Sequence, residues 1–182
     1  MKCVGILTAL LWMGGGIASE TSFQEPKESY FFEKDKTYYA SILTSRGKIV
    51  CQLFPEKAPL SVTNFLQLIK GHFYEGIPFH RVIPGFVVQG GDPERIGSDA
   101  LSYTLPPEMG LSHEMGSLAW ARLPDILNPN RRSNGSQFYI TLDKMPFLDG
   151  EYSVFGKVVD GLDVLKEISE EDKIDKVEVI IK

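Results

Sequence analysis

The sequence predicts a mainly-β domain, either a closed antiparallel β-barrel or a sandwich. Three observations carry this. Short apolar or alternating segments recur along most of the chain, each bounded by turn residues. The 17 glycines and 11 prolines are scattered rather than clustered, and many short strands need many turns. Helical periodicity is confined to two segments, 55–71 and 161–168. Closure of the strands would leave no exposed edges. No internal repeat at a fixed period is present.

The elements follow in order. The stretch YYASILTSRGKIVCQLF, 38–54, reads as two strands joined at Ser45-Arg46-Gly47, with the glycine supplying a positive φ. PEKAPLSVTNFLQLIKG, 55–71, is the clearest helix. Pro59 suits its first turn, and Val62, Phe65, Leu66 and Ile69 recur on one face. Gly71 suits the position after its end. Strands are expected at 79–82, 86–89, 117–121, 138–141 and 154–159. A short helix at 161–168 places Leu162, Leu165 and Ile168 on one side. The final strand, 176–181, alternates Val177, Val179 and Ile181 with charged partners.

The totals narrow the function. Hydrophobic residues make up 43% and charged residues 24%, as in an ordinary globular domain. The net charge is −5, and Arg131-Arg132 is the one tight basic pair. A phosphate-tracking surface needs clustered cations, so nucleic acid is not an expected partner. The first 18 residues differ: Lys2, an apolar run from Val4 to Met13, then glycines and Ile17-Ala18-Ser19. This is the pattern of a secretory leader cut after Ala18. An uncleaved anchor fits less well, because the 15 residues from Val4 to Ala18 fall short of the roughly 20 that span a bilayer. Cys3 precedes the apolar run, which argues against lipidation there. The chain thus divides into a leader (1–18), a polar linker (19–36) whose Tyr30-Phe31-Phe32 cluster is a candidate for docking, and a domain (37–182), and an exported, periplasmic or secreted protein is expected. Without the leader one cysteine remains, Cys51, which reads as a small core residue rather than a reactive thiol.

Several chemistries lack support. His72, His80 and His113 are far apart with no i, i+4 pair, so no metal site is expected. NGSQF at 134–138 only partly echoes a nucleophile elbow, and no glycine-rich phosphate loop lies between a strand and a helix. Asn134-Gly135-Ser136 matches a glycosylation acceptor and equally a turn before a strand.

What remains is FHRVIPGFVVQGGDP, 79–93, an arginine in an apolar run with no nucleophile near it. Strand alternation puts Arg81 on one face with Phe79 and Ile83. On the strand alone, a surface arginine whose stem lies along the sheet fits as well as a functional one.

The same stretch, with GSLAWAR (116–122), NGSQFYIT (134–141) and FLDGEYSVFGKVVDGLDVL (147–165), resembles the cyclophilin family of peptidyl-prolyl cis-trans isomerases. The preceding 58–83 fits as well, and the motifs keep the family's order over 37–182. The resemblance implies a closed eight-stranded antiparallel barrel capped by two α-helices. It also implies that Arg81 is catalytic, with Phe86 and Gln89 beside it. Phe86, Tyr139 and Leu148 would form a pocket for the proline ring, with Val87 at its edge. Gln89 and Gln137 would hold backbone or arginine in place. Ala121 and Arg122 would meet the residue before proline through their main chain. Phe147 and Tyr152 stand where many members carry tryptophan and histidine. No cofactor or metal is implied, and the partners are proline-containing polypeptides bound by a monomer.

Three departures bear on specificity. Phe147 lacks an indole donor, which weighs against tight binding of cyclosporin-class inhibitors. Arg122 replaces the family's asparagine. The 122–137 stretch is longer than usual, and Arg122, Arg131 and Arg132 would make a basic rim favouring acidic substrates. The loop at 97–103 lacks the family's glycines and is expected to be stiffer. Two readings follow: an isomerase assisting the folding of exported proteins, or a module that grips proline segments as a chaperone with turnover incidental.

Overall fold

A computed structural model describes residues 23–95 and 101–182. The leader, and with it the expected cut after Ala18, lies outside them. In chain order the elements are β1 (Tyr38–Thr44), β2 (Gly47–Leu53), α1 (Pro59–Lys70), β3 (Arg81–Ile83), β4 (Val87–Gly90), β5 (Thr104–Leu105), β6 (Ser117–Trp120), β7 (Ser133–Asn134), β8 (Phe138–Thr141), a 3-10 turn (Pro146–Leu148), β9 (Val154–Asp160), α2 (Leu162–Glu167) and β10 (Ile174–Ile181). Eight strands form one antiparallel sheet in the order β10-β1-β2-β9-β6-β8-β4-β3, and β5 pairs with β7 apart from it.

The sheet curls into a half-barrel, and its ladder does not close as expected. No strand pairing joins β3 to β10. The seam is crossed instead by irregular backbone. The Ile174 amide donates to the Ile77 carbonyl at 3.0 Å and the Phe79 amide to the Asp172 carbonyl at 2.9 Å. Two causes are local. β3 holds three residues and starts at Arg81, two later than the sequence suggests. Opposite it, Glu171 turns the chain with φ 78° before β10 begins. The alternation expected through Phe79 therefore fails: Phe79 is buried in the core, while Arg81 and Ile83 are exposed.

The core explains the rest. Phe65 on α1 meets Tyr74, Trp120, Phe138 and Phe155 at ring-centroid distances of 5.2–5.9 Å. Those rings come from a loop and from β6, β8 and β9, so one helical side chain fastens three neighbouring strands. Val62, Leu66 and Ile69 are buried with it, as the period predicts. Ser61, Thr63 and Asn64 are buried as well: Glu108 accepts from the Ser61 amide at 2.7 Å, Asn64 Nδ2 donates to the Gly135 carbonyl at 2.7 Å, and the 23–36 segment meets Thr63. There Tyr30 donates its amide to Thr63 Oγ1 at 2.9 Å and Phe32 packs edge-on against Tyr38 at 5.1 Å.

Gly71 ends α1 with an ordinary φ of −87°, and His72 takes the left-handed turn at 57°. The glycine serves a close approach: a Cβ there would sit 2.5 Å from the Phe23 ring. Gly47 has the positive φ expected of the first hairpin, 139°. Cys51 is buried, and burial pushes its thiol up to about 12, which makes it inert. In β10 Val177 is buried, Val179 half-buried and Ile181 exposed, so the alternation fades toward the end of the chain.

Beside the seam, Asp172 accepts from Ser45 Oγ at 3.0 Å, Arg46 Nε at 2.8 Å, the Ser169 amide at 2.8 Å and Ser169 Oγ at 2.7 Å. Burial alone would raise its pKa, but the bonds from Ser169, and then from Arg46 and Ser45, outweigh it and hold the carboxyl well below the usual range. A group depressed on folding contributes stability that is complete above its unfolded value, about 4, and is lost as pH falls toward the folded one. Urea midpoints should therefore decline below about pH 4, and less steeply in Asp172→Asn. Parallel curves for the two proteins would refute this role.

Candidate active site

One row of opposed residues builds the site. Across the sheet, Arg81 on β3 faces Gln89 on β4, Gln89 faces Tyr139 on β8, and Tyr139 faces Ala119 on β6. Directly opposed residues share a face. Guanidinium, amide and ring therefore project from the same side. That side holds a cavity of about 310 Å³.

The turn from β3 to β4 supplies the next residue. Ile83-Pro84-Gly85-Phe86 closes with the Phe86 amide donating to the Ile83 carbonyl at 2.9 Å. Proline presets the first central φ, and Gly85 takes 70° at the second, as a type II turn requires. The Phe86 carbonyl accepts from the Leu142 amide at 2.8 Å, which fixes the turn to the end of β8. Phe86 thereby stands beside Arg81, whose Cζ lies 5.9 Å from the ring centroid. Leu148 reaches the cavity from the 3-10 turn, and Val87 lines it from the start of β4.

A hydrogen-bonded chain runs inward from the arginine. Arg81 Nη1 donates to Gln89 Oε1 at 3.2 Å, and Gln89 Nε2 to Gln137 Oε1 at 3.1 Å. Gln137 Nε2 then donates to Asp92 Oδ2 at 3.4 Å. Gln137 and Asp92 are buried. A guanidinium only donates and a carboxylate only accepts, so the two ends dictate which way both amides face.

The opposite wall holds a residue that the sequence did not single out. His113 is fully buried. Asp149 Oδ1 accepts from its amide at 2.7 Å and lies 3.0 Å from its Nδ1. This sets the Nδ1–H tautomer, leaving Nε2 to accept from Tyr139 Oη at 3.0 Å. The His113 and Tyr139 rings lie nearly parallel, 11° apart. Burial, then the neighbouring Tyr152, raises the Tyr139 pKa, so its hydroxyl remains a donor. The His113 amide, then its ring, lowers that of Asp149. The three partners stand 26 and 36 residues apart in sequence, and no local pattern links them.

Of the residues expected at the site, Arg81, Phe86, Val87, Gln89 and Tyr139 line the cavity together with Ala121, Arg122, Leu148 and Tyr152. Gln137 stands behind Gln89 rather than in the lining. Phe147 lies outside as well, 67% exposed and stacked on Phe86 at 6.0 Å. The Ala121 amide donates to the Gln137 carbonyl at 2.9 Å and its carbonyl accepts from the Asn134 amide at 2.8 Å, so both main-chain groups of that residue are engaged within the fold.

The expected basic rim is absent. Arg122 Nη2 and Arg131 Nη1 both reach Glu151, at 3.2 and 3.0 Å, and both arginines also bond to Asp125. Arg132 pairs with Glu25. Each cation is neutralised by a carboxylate that a reading along the chain does not bring near it. Of the 97–103 loop, 101–103 are described, and Tyr103 Oη donates to Asn64 Oδ1 at 2.7 Å.

A curled antiparallel half-barrel with two helices, bearing a cavity lined by an arginine and by Phe86, Tyr139 and Leu148, with no serine, threonine or cysteine among the described lining residues, suits a protein that binds and turns a peptide without cutting it. The comparisons agree. Residues 39–182 match the family model described as cyclophilin type peptidyl-prolyl cis-trans isomerase/CLD. A peptidyl-prolyl cis-trans isomerase of Helicobacter pylori is 38% identical over 161 residues, covering 84% of this chain and 95% of that protein. Peptidyl-prolyl cis-trans isomerase B of Bacillus subtilis is 40% identical over 141 residues, 76% and 94% of the two chains. The crystal structure of a cyclophilin-type isomerase of Cryptosporidium parvum superposes with a TM-score of 0.71 at 31% identity, covering 79% of this chain and 98% of that one. The chain belongs to the cyclophilin-type peptidyl-prolyl cis-trans isomerase family, and its enzyme class is isomerase.

Tyr139→Phe removes the hydroxyl and leaves His113 Nε2 a buried acceptor without a donor. A loss of about 1–3 kcal/mol is expected in urea unfolding. His113→Leu in the Tyr139→Phe background should recover part of it, and strictly additive losses would disprove the coupling.

Proposed function

We propose that Arg81 catalyses rotation about X-Pro bonds in exported polypeptides, with the proline ring seated against Phe86, Tyr139 and Leu148. The observation that carries this is a guanidinium held by an amide in a cavity that Phe86, Tyr139 and Leu148 also line. The X-Pro barrier is about 18–20 kcal/mol, set by C–N resonance. Cis and trans differ by only about 0.5–1 kcal/mol, so the task is kinetic and no covalent bond need form or break. The catalyst must favour the twisted amide over both planar forms. On twisting, the proline nitrogen regains its lone pair and becomes an acceptor. Arg81 is always charged and is a donor to that lone pair. The neighbouring rings exclude water and strengthen the contact.

Gln89 positions the guanidinium, Gln137 orients Gln89, and Asp92 orients Gln137. Val87 and Tyr152 shape the cavity edge, with Ala121 and Arg122 beside the residue preceding proline. Phe147 supports Phe86 from outside.

The expected loss of kcat/KM for Arg81→Ala is about 10²–10³-fold, measured by exchange NMR on an X-Pro peptide. The fold should survive, because the side chain is exposed. Unchanged turnover would overturn the role and favour a module that only grips proline.

The folding role rests on the leader-like first 18 residues. Prolyl steps take tens of seconds uncatalysed, which makes such a catalyst useful to newly exported chains. Mass spectrometry of the protein recovered from the exported fraction should find a chain starting at Ser19. Recovery of the full chain in the cytoplasm would overturn the localisation.

A further inference from the structure

The 122–132 loop carries three aliphatic side chains that the core does not use. Leu123 is 42% exposed, Ile126 90% and Leu127 70%. Scattered exposed apolar residues are ordinary, but three within five positions beside a ligand cavity are not. The loop is firmly built. Its tip turns on the Leu127 and Asn128 amides, which donate to the Pro124 carbonyl at 2.9 and 3.0 Å. The Asn128 side chain bonds Arg132 main chain in both directions, at 2.8 and 3.0 Å. Arg122, Arg131, Asp125 and Glu151 form a closed square of two cations and two anions. The charged groups face one another, and the aliphatic groups face solvent.

The loop is also continuous with the cavity. Arg122 lines it, and the same guanidinium donates through Nη1 to the Leu123 carbonyl, at 3.0 Å, and to Asp125. Its Cζ sits 4.7 Å from the Tyr152 ring centroid, another lining residue. The side chain that walls the cavity therefore also holds the base of the loop. A polypeptide seated there extends at about 3.3 Å per residue beyond the proline, so its flanks must cross the rim.

We infer that the 126–127 tip is a contact for aliphatic residues flanking the target proline, so that the preferred substrates are apolar unfolded segments. The inference rests on the isomerase reading and names the substrate class of that same site. Because the loop is already ordered, the contact carries little ordering cost. Because its charges are cancelled, it offers acidic flanks no attraction.

The test uses the full chain and its Ile126→Ser/Leu127→Ser double variant, two exposed positions outside the cavity lining. Exchange NMR would compare a blocked X-Pro tetrapeptide with 14-residue peptides of the same centre, flanked on both sides by leucine and valine or by glutamate. The leucine/valine peptide should show a kcat/KM about three- to tenfold above the glutamate one. The double variant should lose that preference while turning over the tetrapeptide at the parent rate. A preference retained in the double variant, or faster turnover of the glutamate peptide, overturns the inference. So would a dimer of the parent that the double variant dissolves, since the tip would then belong to a second copy. Absence of tetrapeptide turnover in the parent would overturn the isomerase reading itself, and this inference with it.

Discussion

The site depends on strand register. Arg81, Gln89, Tyr139 and Ala119 stand opposite one another on four strands, and their side chains share a face because each ladder is in step with the next. A slip of one residue between β3 and β4 would turn the guanidinium to the other side of the sheet. The turn guards against that slip. Pro84 and Gly85 admit one tight geometry, and the Phe86 carbonyl is tied to Leu142 beyond β8. The motif Arg-Val-Ile-Pro-Gly-Phe is thus one device: it sets the register, places the ring and aims the arginine.

Register places the row, and burial stiffens it from both ends. On one side the Arg81–Gln89–Gln137–Asp92 chain ends at a buried carboxylate. On the other, Tyr139 is held through His113 by Asp149, on the segment that carries Leu148 and Tyr152. The cavity walls are therefore joined by polar links as well as by packing. Behind them, Phe65 ties α1 to β6, β8 and β9, the last two steps of that attachment being ring contacts of 5.8 and 5.2 Å. Preorganisation of this kind is what a catalyst without covalent chemistry requires, because binding geometry is its whole contribution.

Much of this was legible along the chain. The helical period of α1, the placement of β8 and the arginine in its apolar run follow from side-chain spacing, a property of neighbours in sequence. What the chain hid is tertiary. β5 and β7 are two residues each, and exist only because 104–105 meets 133–134. The open seam reflects the brevity of β3, which periodicity cannot measure. His113 looked like one of three scattered histidines, since its partners lie 26 and 36 residues away. Residues 23–36 read as a polar linker with an aromatic cluster at 30–32 able to dock, but its partners lay out of sight along the chain: Tyr30 and Phe32 pack against α1 and β1. The basic rim failed for the same reason: cations were visible as neighbours, but Glu151 and Glu25 were not.

That failure explains why one arginine among several is suited to the chemistry. Arg122 is bound by two carboxylates and two carbonyls, and its charge is cancelled where it stands. Arg81 donates to a neutral amide. A carboxylate in that place would orient the guanidinium equally well, but it would draw the positive charge to itself and compete with a developing lone pair. The Gln89 amide takes one hydrogen bond from Arg81 without cancelling its charge, and among the described residues no carboxylate pairs with that guanidinium, which lines the cavity beside an aromatic ring. Neutral partners thus let Arg81 remain a donor, while charged partners turn Arg122 into a strut. The difference lies in what each guanidinium meets: a neutral amide at Arg81, two carboxylates at Arg122.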